Sequence, residues 1–318
     1  MSALPDGSQG MTREALAGTG FQLDSPPLLS RSTVDRREEL RDSLDGGTRL
    51  WKAGRVVLVD SKGRTPIHAN GRLAMQPAAD FGDAPAPTSV LLGVEDDVSY
   101  WALRTDHDGE AEGWLDLRRG GGQLNDTDAG LFTTAVGLLS WHDNARYCAV
   151  CGAGTTRVRV GWARRCTGCE REEYPRTDPA VICLVHDGAD HVLLARQPIW
   201  PPHRFSVLAG FVEVGESLEA CVAREVAEEV GVDCSEIRYL GSQPWPFPRS
   251  LMLGFTATAS RDQPLIPADG EIEEARWVHR DTILAALDAD GEAVDGVRLP
   301  PSVSIAYRMI KGWATWKP

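Results

Sequence analysis

The chain has 318 residues, of which 42% are hydrophobic and 25% charged, and its formal net charge is -13. This length suits two domains, or two with a small module between them, and the acidic balance excludes broad, sequence-independent nucleic-acid binding, which needs a basic footprint. No apolar run approaches the ~20 residues of a membrane span, and the opening MSALPDGSQGMTREALAG lacks the basic head and apolar stretch of a signal peptide, so a cytoplasmic protein with no membrane partner is the expectation.

The first ~45 residues are polar and rich in Gly, Pro and Arg, so a flexible start is predicted, with a short helical hint at STVDRREELRDSL. Short β-type runs follow in GRVVLVDSKGR, SVLLGVEDDVSYWALRT and GWLDLRR, parted by Gly, Asp and Pro. They predict a small, mostly-β N-terminal domain over residues 1–140. GGGQLND then breaks the chain, and DTDAGLFTTAVGLLSWHDNARYC reads as a helix, capped by Asp126 or Thr127.

That helix leads into the first of two cysteine pairs, Cys148/Cys151 and Cys166/Cys169, with two residues inside each pair and fourteen between the pairs. The spacing suits four thiolates around one tetrahedral zinc ion, with GAGTTRVRVGWARR as a hairpin between the two turns. A redox dithiol would need only one pair. With all four ligands supplied by the chain, the metal has no open position and serves as a scaffold for residues 141–175. A nucleic-acid-binding ribbon is the rival reading, since Arg157, Arg159, Arg164, Arg165, Arg171 and Arg176 make the module locally basic. Glu170, Glu172, Glu173 and Asp178 offset most of that charge.

From residue 176 to the end the pattern alternates strands and helices. AVICLVHDGADHVLLARQ reads as a hairpin and HRFSVLAGFVEV as an extended segment. SLEACVAREVAEEV is a helix stopped by Gly231, then IRYLGSQ, LMLGFTATA and EARWVH are strands, and RDTILAALDA and SVSIAYRMIKGWATW are closing helices. The fold class predicted is α+β, its C-terminal part a three-layer α/β/α sandwich on a mixed sheet. In the first of these helices, Glu225 and Glu229 lie one turn apart and point within about 40° of each other, beside the apolar stripe Val222, Val226 and Val230. Like charges at the edge of a buried face repel and desolvate one another unless a cation sits between them. Arg224 points roughly 100° away from that pair, so a divalent cation fits better, and oxygen-only ligands favour Mg²⁺ or Mn²⁺. An ordinary solvated acidic face is the alternative for the helix taken by itself.

The surrounding spacing decides between them. Gly210 is followed after five residues by Glu216, then after seven by Arg224 and Glu225; Val226, Glu228, Glu229, Gly231 and Val232 complete the series. This resembles the complete signature of the Nudix hydrolases, which cleave a nucleoside diphosphate linked to a further group. The resemblance makes Glu225, Glu228 and Glu229 metal ligands or general base, with Glu225 and Glu229 favoured as ligands because they align, and the base either Glu228 or Glu229. Arg224 and Glu216 become a supporting pair, and Gly210 and Gly231 shape the loops. The metal neutralises the pyrophosphate oxygens and activates water, and a carboxylate takes the proton.

Ten residues after Gly231 comes SQPWPFPRS, Ser242 to Ser250, with three prolines in nine residues; it reads as a stiff connector, too proline-broken for a helix and poor as a central strand. It resembles the specificity motif of the NADH pyrophosphatase branch of the family, which also carries a four-cysteine zinc ribbon ahead of the Nudix domain. The resemblance covers residues 140–310 and implies cleavage of NAD(H) to NMN(H) and AMP, removal of 5′ NAD caps from RNA, and a homodimer. It implies base-stacking aromatics at Phe211 and at Tyr174, the latter from a partner subunit, a further metal-binding carboxylate at Glu271, and a backbone nucleotide contact at Ala306. Within the motif, Gln243 and Ser250 are expected to touch ligand ahead of Trp245. Two other readings stand beside this one: a broader dinucleotide or ADP-ribose hydrolase, and a zinc-ribbon nucleotide- or RNA-binding module without catalysis.

Overall fold

The structure, a computed structural model, describes residues 20–42, 44–106, 113–289 and 291–316. The N-terminal part contains α1 (Leu44–Lys52), β1 (Arg55–Val59), β2 (Arg64–Pro66), β3 (Gln76–Pro77), β4 (Val90–Glu95), β5 (Val98–Arg104), β6 (Trp114–Asp116), the single turn α2 (Leu117–Gly120) and the long α3 (Asp126–Asn144). Four strands pair in the order β3-β1-β5-β4, with β1 and β5 parallel, and β2 pairs β6 beside them. Helix α3 is apolar on most of its circumference because it is covered by this sheet and by the segment around Leu29, sharing Leu131, Phe132 and Leu139 with Val57, Val59 and Leu92. Its cap is Asn125, one residue before the expected position: the Asn125 side chain accepts from the Asp128 N–H at 2.8 Å. The helical hint at STVDRREELRDSL is realised as a 3₁₀ turn over Glu38–Leu40, and the α-helix begins later, at Leu44.

The ribbon follows as β7 (Thr155–Val158), β8 (Ala163–Cys166) and β9 (Glu172–Glu173), a three-stranded antiparallel sheet. The C-terminal part contains β10 (Asp178–His186), β11 (His191–Arg196), β12 (Leu208–Phe211), α4 (Leu218–Val230), β13 (Ser235–Trp245), β14 (Ser250–Thr258), β15 (Glu274–His279), α5 (Arg280–Asp288) and α6 (Ile305–Thr315). Its six-stranded mixed sheet runs β13-β14-β10-β11-β15, with β12 also pairing β10. The central strand β10 lies parallel to β14, and its unbroken run of apolar residues fits burial on both faces. One face is covered by α4 through Val222, Val226 and Val230. The other is covered by α5 and α6 through Ile283, Met309, Ile310 and Trp313. The three layers are those predicted. Among the described residues no helix is long and apolar enough to cross a membrane.

Two expectations are corrected. The flexible polar start falls partly on residues 1–19, outside the described residues, but from Gly20 onward the chain is packed. Phe21 is 3% exposed in the C-terminal core beside Ile310 and Trp313, Asp24 pairs with Arg308 at 3.3 Å, and the Ser30 hydroxyl donates to the Ser242 carbonyl at 2.7 Å. Average composition conceals this, because a few apolar residues spaced along a polar segment suffice to anchor it. The proline-rich stretch is also not a connector throughout: Ser242 to Trp245 are the last rungs of β13, paired with Leu253 to Ser250 of β14. Proline is tolerated there because β13 is an edge strand. Pro246 to Arg249 form the hairpin turn.

Candidate active site

Ser217 caps α4, its hydroxyl accepting from the Ala220 N–H at 3.2 Å, and Gly231 ends the helix in the left-handed conformation at φ 72°. The helix is thereby set in register against β12, where Gly210 pairs with Val181 of the central strand. Gly210 admits the helix closely: a Cβ there would stand 1.9 Å from the Glu225 carboxyl carbon. Arg224 forms a two-pronged pair with Glu216, at 2.8 and 2.9 Å, and donates to the Phe211 carbonyl at 3.0 Å. It therefore ties α4 to β12 and to the loop between them. This guanidinium holds the Glu216 carboxyl down to about 2, well below the usual carboxylate range.

Arg224 does more than the helical projection suggested. Its Nη1 also reaches Glu225 at 2.9 Å and Glu228 at 2.8 Å, because a long side chain can fold back across its own turn. Glu229 lies on the other side. It is 3% exposed, its Oε2 has no hydrogen-bond partner among the described residues, and burial followed by the charges of Glu225 and Glu271 pushes its pKa up to about 8. Burial also raises Glu225. An orphaned buried carboxylate oxygen in the field of two further carboxylates has the oxygen-donor chemistry that suits a hard divalent cation.

Glu271 reaches this group through the loop between β14 and β15. Backbone N–H groups of Ile266 and Ala268 donate to the carbonyls of Val230 and Glu229, at 2.8 and 2.9 Å, so the loop closes the C-terminal end of α4. Its neighbours Glu273 and Glu274 are engaged elsewhere, with Arg196 and Arg276. Of the three adjacent glutamates, Glu271 is thus the one whose charge acts on Glu225 and Glu229.

Glu229 also lines a cavity of about 170 Å³, whose walls include Trp245, Met252, Ile182 and Ala306. Trp200 and Gln197 close it from the loop between β11 and β12. Neither was singled out from sequence, since they belong to no motif; the tryptophan in IWPPHRF is the signal that was there to be read. Their loop is fastened by Arg196, which donates to the Trp200 carbonyl at 3.2 Å and pairs with Glu273.

The remaining sequence candidates are placed as follows. Gln243 is fully buried; its Nε2 donates to the Val303 carbonyl at 3.0 Å, bracing the end of β13 against the segment before α6, while its Oε1 has no partner among the described residues. Ser250 is 9% exposed at the first rung of β14 and lines the outer side of that strand pair, away from the 170 Å³ cavity. Ala306 lines the cavity, and its N–H donates to the Ser304 hydroxyl, the cap of α6, at 3.1 Å. Phe211 and Tyr174 are 59% and 57% exposed, and the Tyr174 hydroxyl donates to Glu172 at 2.7 Å.

In the ribbon, the four Sγ atoms of Cys148, Cys151, Cys166 and Cys169 lie within 4.8 Å of one another, with Cys151–Cys166 at 3.3 Å and Cys148–Cys169 at 3.7 Å. Backbone N–H groups of Val150, Gly168 and Cys169 point at Cys148 and Cys166 sulfurs at 3.3–3.4 Å, which favours thiolates. This all-sulfur set at tetrahedral spacing fits structural zinc. Arg159 and Arg165 are both spent on Glu172, and Arg164 is buried on Thr155, so much of the ribbon's positive charge is internal.

Three family matches divide the chain: a NADH pyrophosphatase-like rudimentary NUDIX domain over residues 48–141, a NADH pyrophosphatase zinc ribbon domain over 143–174, and a NUDIX domain over 176–296. The chain is 48% identical over 309 residues to the NAD-capped RNA hydrolase NudC of Mycobacterium bovis, covering 94% of this chain and 98% of that one. It is 38% identical over 205 residues to the NAD-capped RNA hydrolase NUDT12 of Homo sapiens, covering 62% of this chain and 44% of that one. Among solved structures, a Nudix hydrolase from Nitrosomonas europaea matches with a TM-score of 0.37 and 25% identity, over 43% of this chain and 78% of that one.

Proposed function

The chain belongs to the NADH pyrophosphatase group of the Nudix hydrolases, and we propose that it hydrolyses the pyrophosphate of NAD(H) to NMN(H) and AMP and removes 5′ NAD caps from RNA by the same cut. The observation that carries this reading is the position of Glu229. Its unpartnered oxygen sits in the wall of a cavity whose other walls include Trp245 of the specificity segment, so the carboxylates and the base-sized apolar space adjoin.

Glu225, Glu228, Glu229 and Glu271 would hold Mg²⁺ or Mn²⁺, which when bound offsets phosphate charge and acidifies water. Arg224 and Glu216 fix the helix that presents these carboxylates, and Gly210 leaves the room in which Glu225 sits. Either Glu228 or Glu229 accepts the proton of the attacking water. Trp245, Trp200 and the apolar floor at Ile182 and Met252 hold a flat base and exclude water. Phe211 and Tyr174 face outward, which supports their stacking on substrate across a homodimer. One zinc ion per chain holds the ribbon over residues 141–175, between an N-terminal domain over 1–140 and the catalytic domain over 176–318.

Chromatography of products from NADH, NAD⁺, ADP-ribose and NAD-capped RNA, with Mg²⁺ or Mn²⁺, tests the reading against Glu229→Gln. AMP from the NAD species and none from the variant is expected. Absence of AMP from every NAD species, or an undiminished variant, would sink it; preference for ADP-ribose would move the chain to the broader hydrolase class.

A further inference from the structure

Outside the catalytic cavity lies a second groove of about 360 Å³. It is assembled from parts far apart in sequence: the segment after Leu29, one face of α3, Trp162 of the ribbon, the linker Pro175–Thr177, and the strand and turn from Pro244 to Leu251. Trp245 lines both spaces, so one indole is the partition between groove and catalytic cavity.

The chemistry of the groove is unlike that of the chain around it. Among the described residues its lining carries Arg36, Arg176 and Arg249 and no carboxylate, in a protein of net charge -13. Asp178 stands behind the rim and accepts from Arg176 at 2.9 Å and from Arg249 at 2.7 Å. One aspartate against three arginines leaves a local surplus of two positive charges. Arg36 holds its guanidinium 5.4 Å from the Trp162 ring centroid, and both Trp162 and Trp245 are partly exposed. Cations over aromatic surface, in a groove one residue away from the site of cleavage, suit a phosphodiester chain with unstacked bases.

We propose that this groove carries the single-stranded RNA that follows the cap; the inference rests on the reading above that an NAD-capped end enters the catalytic cavity. A capped transcript differs from free NAD by the polynucleotide attached to its adenosine, and that polynucleotide must leave the cavity along some wall. The groove beyond Trp245 meets its phosphates with arginine and its bases with the partly exposed Trp162. The small number of free charges makes this a short tract, consistent with an acidic chain that does not bind nucleic acid broadly.

The test is the double variant Arg36→Glu, Arg176→Glu in the full-length protein, with Arg36→Ala as a milder companion. Affinity for a fluorescent, uncapped single-stranded oligoribonucleotide is read by anisotropy across a salt series, beside NAD hydrolysis and molar mass by light scattering. For the double variant, RNA affinity is expected to fall about tenfold at low salt, with a salt dependence shallower by roughly 1.4, two phosphate contacts at ~0.7 each. NAD turnover and molar mass stay at wild-type values. Unchanged RNA affinity overturns the proposal, as does a change in molar mass with RNA affinity retained, which would make the groove a contact between copies of this chain. Binding of uncapped RNA does not pass through the glutamates, so a wild-type protein inactive on NAD would remove the proposed reaction while the RNA measurement still decided the groove.

Discussion

The carboxylate of Glu225 occupies the space that any side chain at Gly210 would fill, since a Cβ on Gly210 would fall 1.9 Å from its Cδ. Helix α4 and strand β12 approach closely here, and Arg224 holds the contact by bonding both Glu225 and the Phe211 carbonyl. The geometry of the carboxylate set is therefore coupled to the absence of one methyl group.

Gly210→Ala should consequently separate folding from catalysis. The obstructing atoms belong to the end of a flexible side chain, so Glu225 turns away and the fold persists. Displacing a reacting group by about 1 Å costs on the order of a hundredfold. Steady-state hydrolysis should fall by about that factor while the melting temperature stays within a few degrees of wild type; a parallel collapse of both would refute the argument.

Glu229→Gln is expected to lower turnover by about 10²–10⁴-fold, the range for losing a group that handles the proton or its supporting charge. In chelator the variant should be at least as stable as wild type at neutral pH, because the native carboxylate is buried, has a single backbone hydrogen bond from Ala209 with its Oε2 unpartnered among the described residues, and is held at about 8. Divalent cation should raise the melting temperature of wild type and leave the variant nearly unmoved. Thermal denaturation with and without Mg²⁺ reads this directly.

Trp200→Ala removes a wall of the cavity that no motif marks. Losing a base-stacking surface worth ~1–3 kcal/mol should raise KM for NADH about tenfold with kcat changed less. The measurement is a KM and kcat comparison for NADH. A change confined to kcat would show that Trp200 does not hold the base.

Stability should fall in mild acid because of His142. This residue is 2% exposed at the end of α3, its Nε2–H donating to the Gly161 carbonyl at 2.8 Å and its Nδ1 accepting from Arg164 at 3.1 Å. Burial, with Arg157 nearby, pushes its pKa from 6.5 down to about 3. The unfolded chain thus takes up a proton near pH 6.5 that the folded chain refuses. The stability is complete above that pH and is lost progressively as pH drops toward 3. Between pH 6.5 and 5 the loss should be about 2 kcal/mol, at 1.36 kcal/mol per unit. Urea denaturation at the two pH values measures it, and His142→Gln should flatten the slope.

Much of the site was legible because its determinants are local. Glu216, Arg224, Glu225, Glu228 and Glu229 sit at set intervals on one loop and helix, and the cysteine pairs lie on two tight turns. The readings that failed depend on what packs against a segment. That the Gln243 amide nitrogen bonds the Val303 carbonyl, sixty residues away, is not written in the motif around it. Phe21 stood in a polar stretch and enters the core only because α6 offers it a place. That Glu273 and Glu274, close in sequence to Glu271, pair with Arg196 and Arg276 is likewise set by distant elements.

The sequence by itself determined the chemistry: which carboxylates share a helical face, four thiolates at zinc spacing, and a proline-stiffened specificity segment. Short-range periodicity and turn rules suffice for such features, because the residues concerned are held together by the chain itself. Only the tertiary structure decided which side chains meet across it. It put Trp200 and Trp245 in the walls of one cavity, left one oxygen of Glu229 without a partner among the described residues, and gathered three arginines from separate segments into one groove. These are outcomes of packing between distant elements, set by which apolar surfaces fit against one another, and no interval along the chain encodes them.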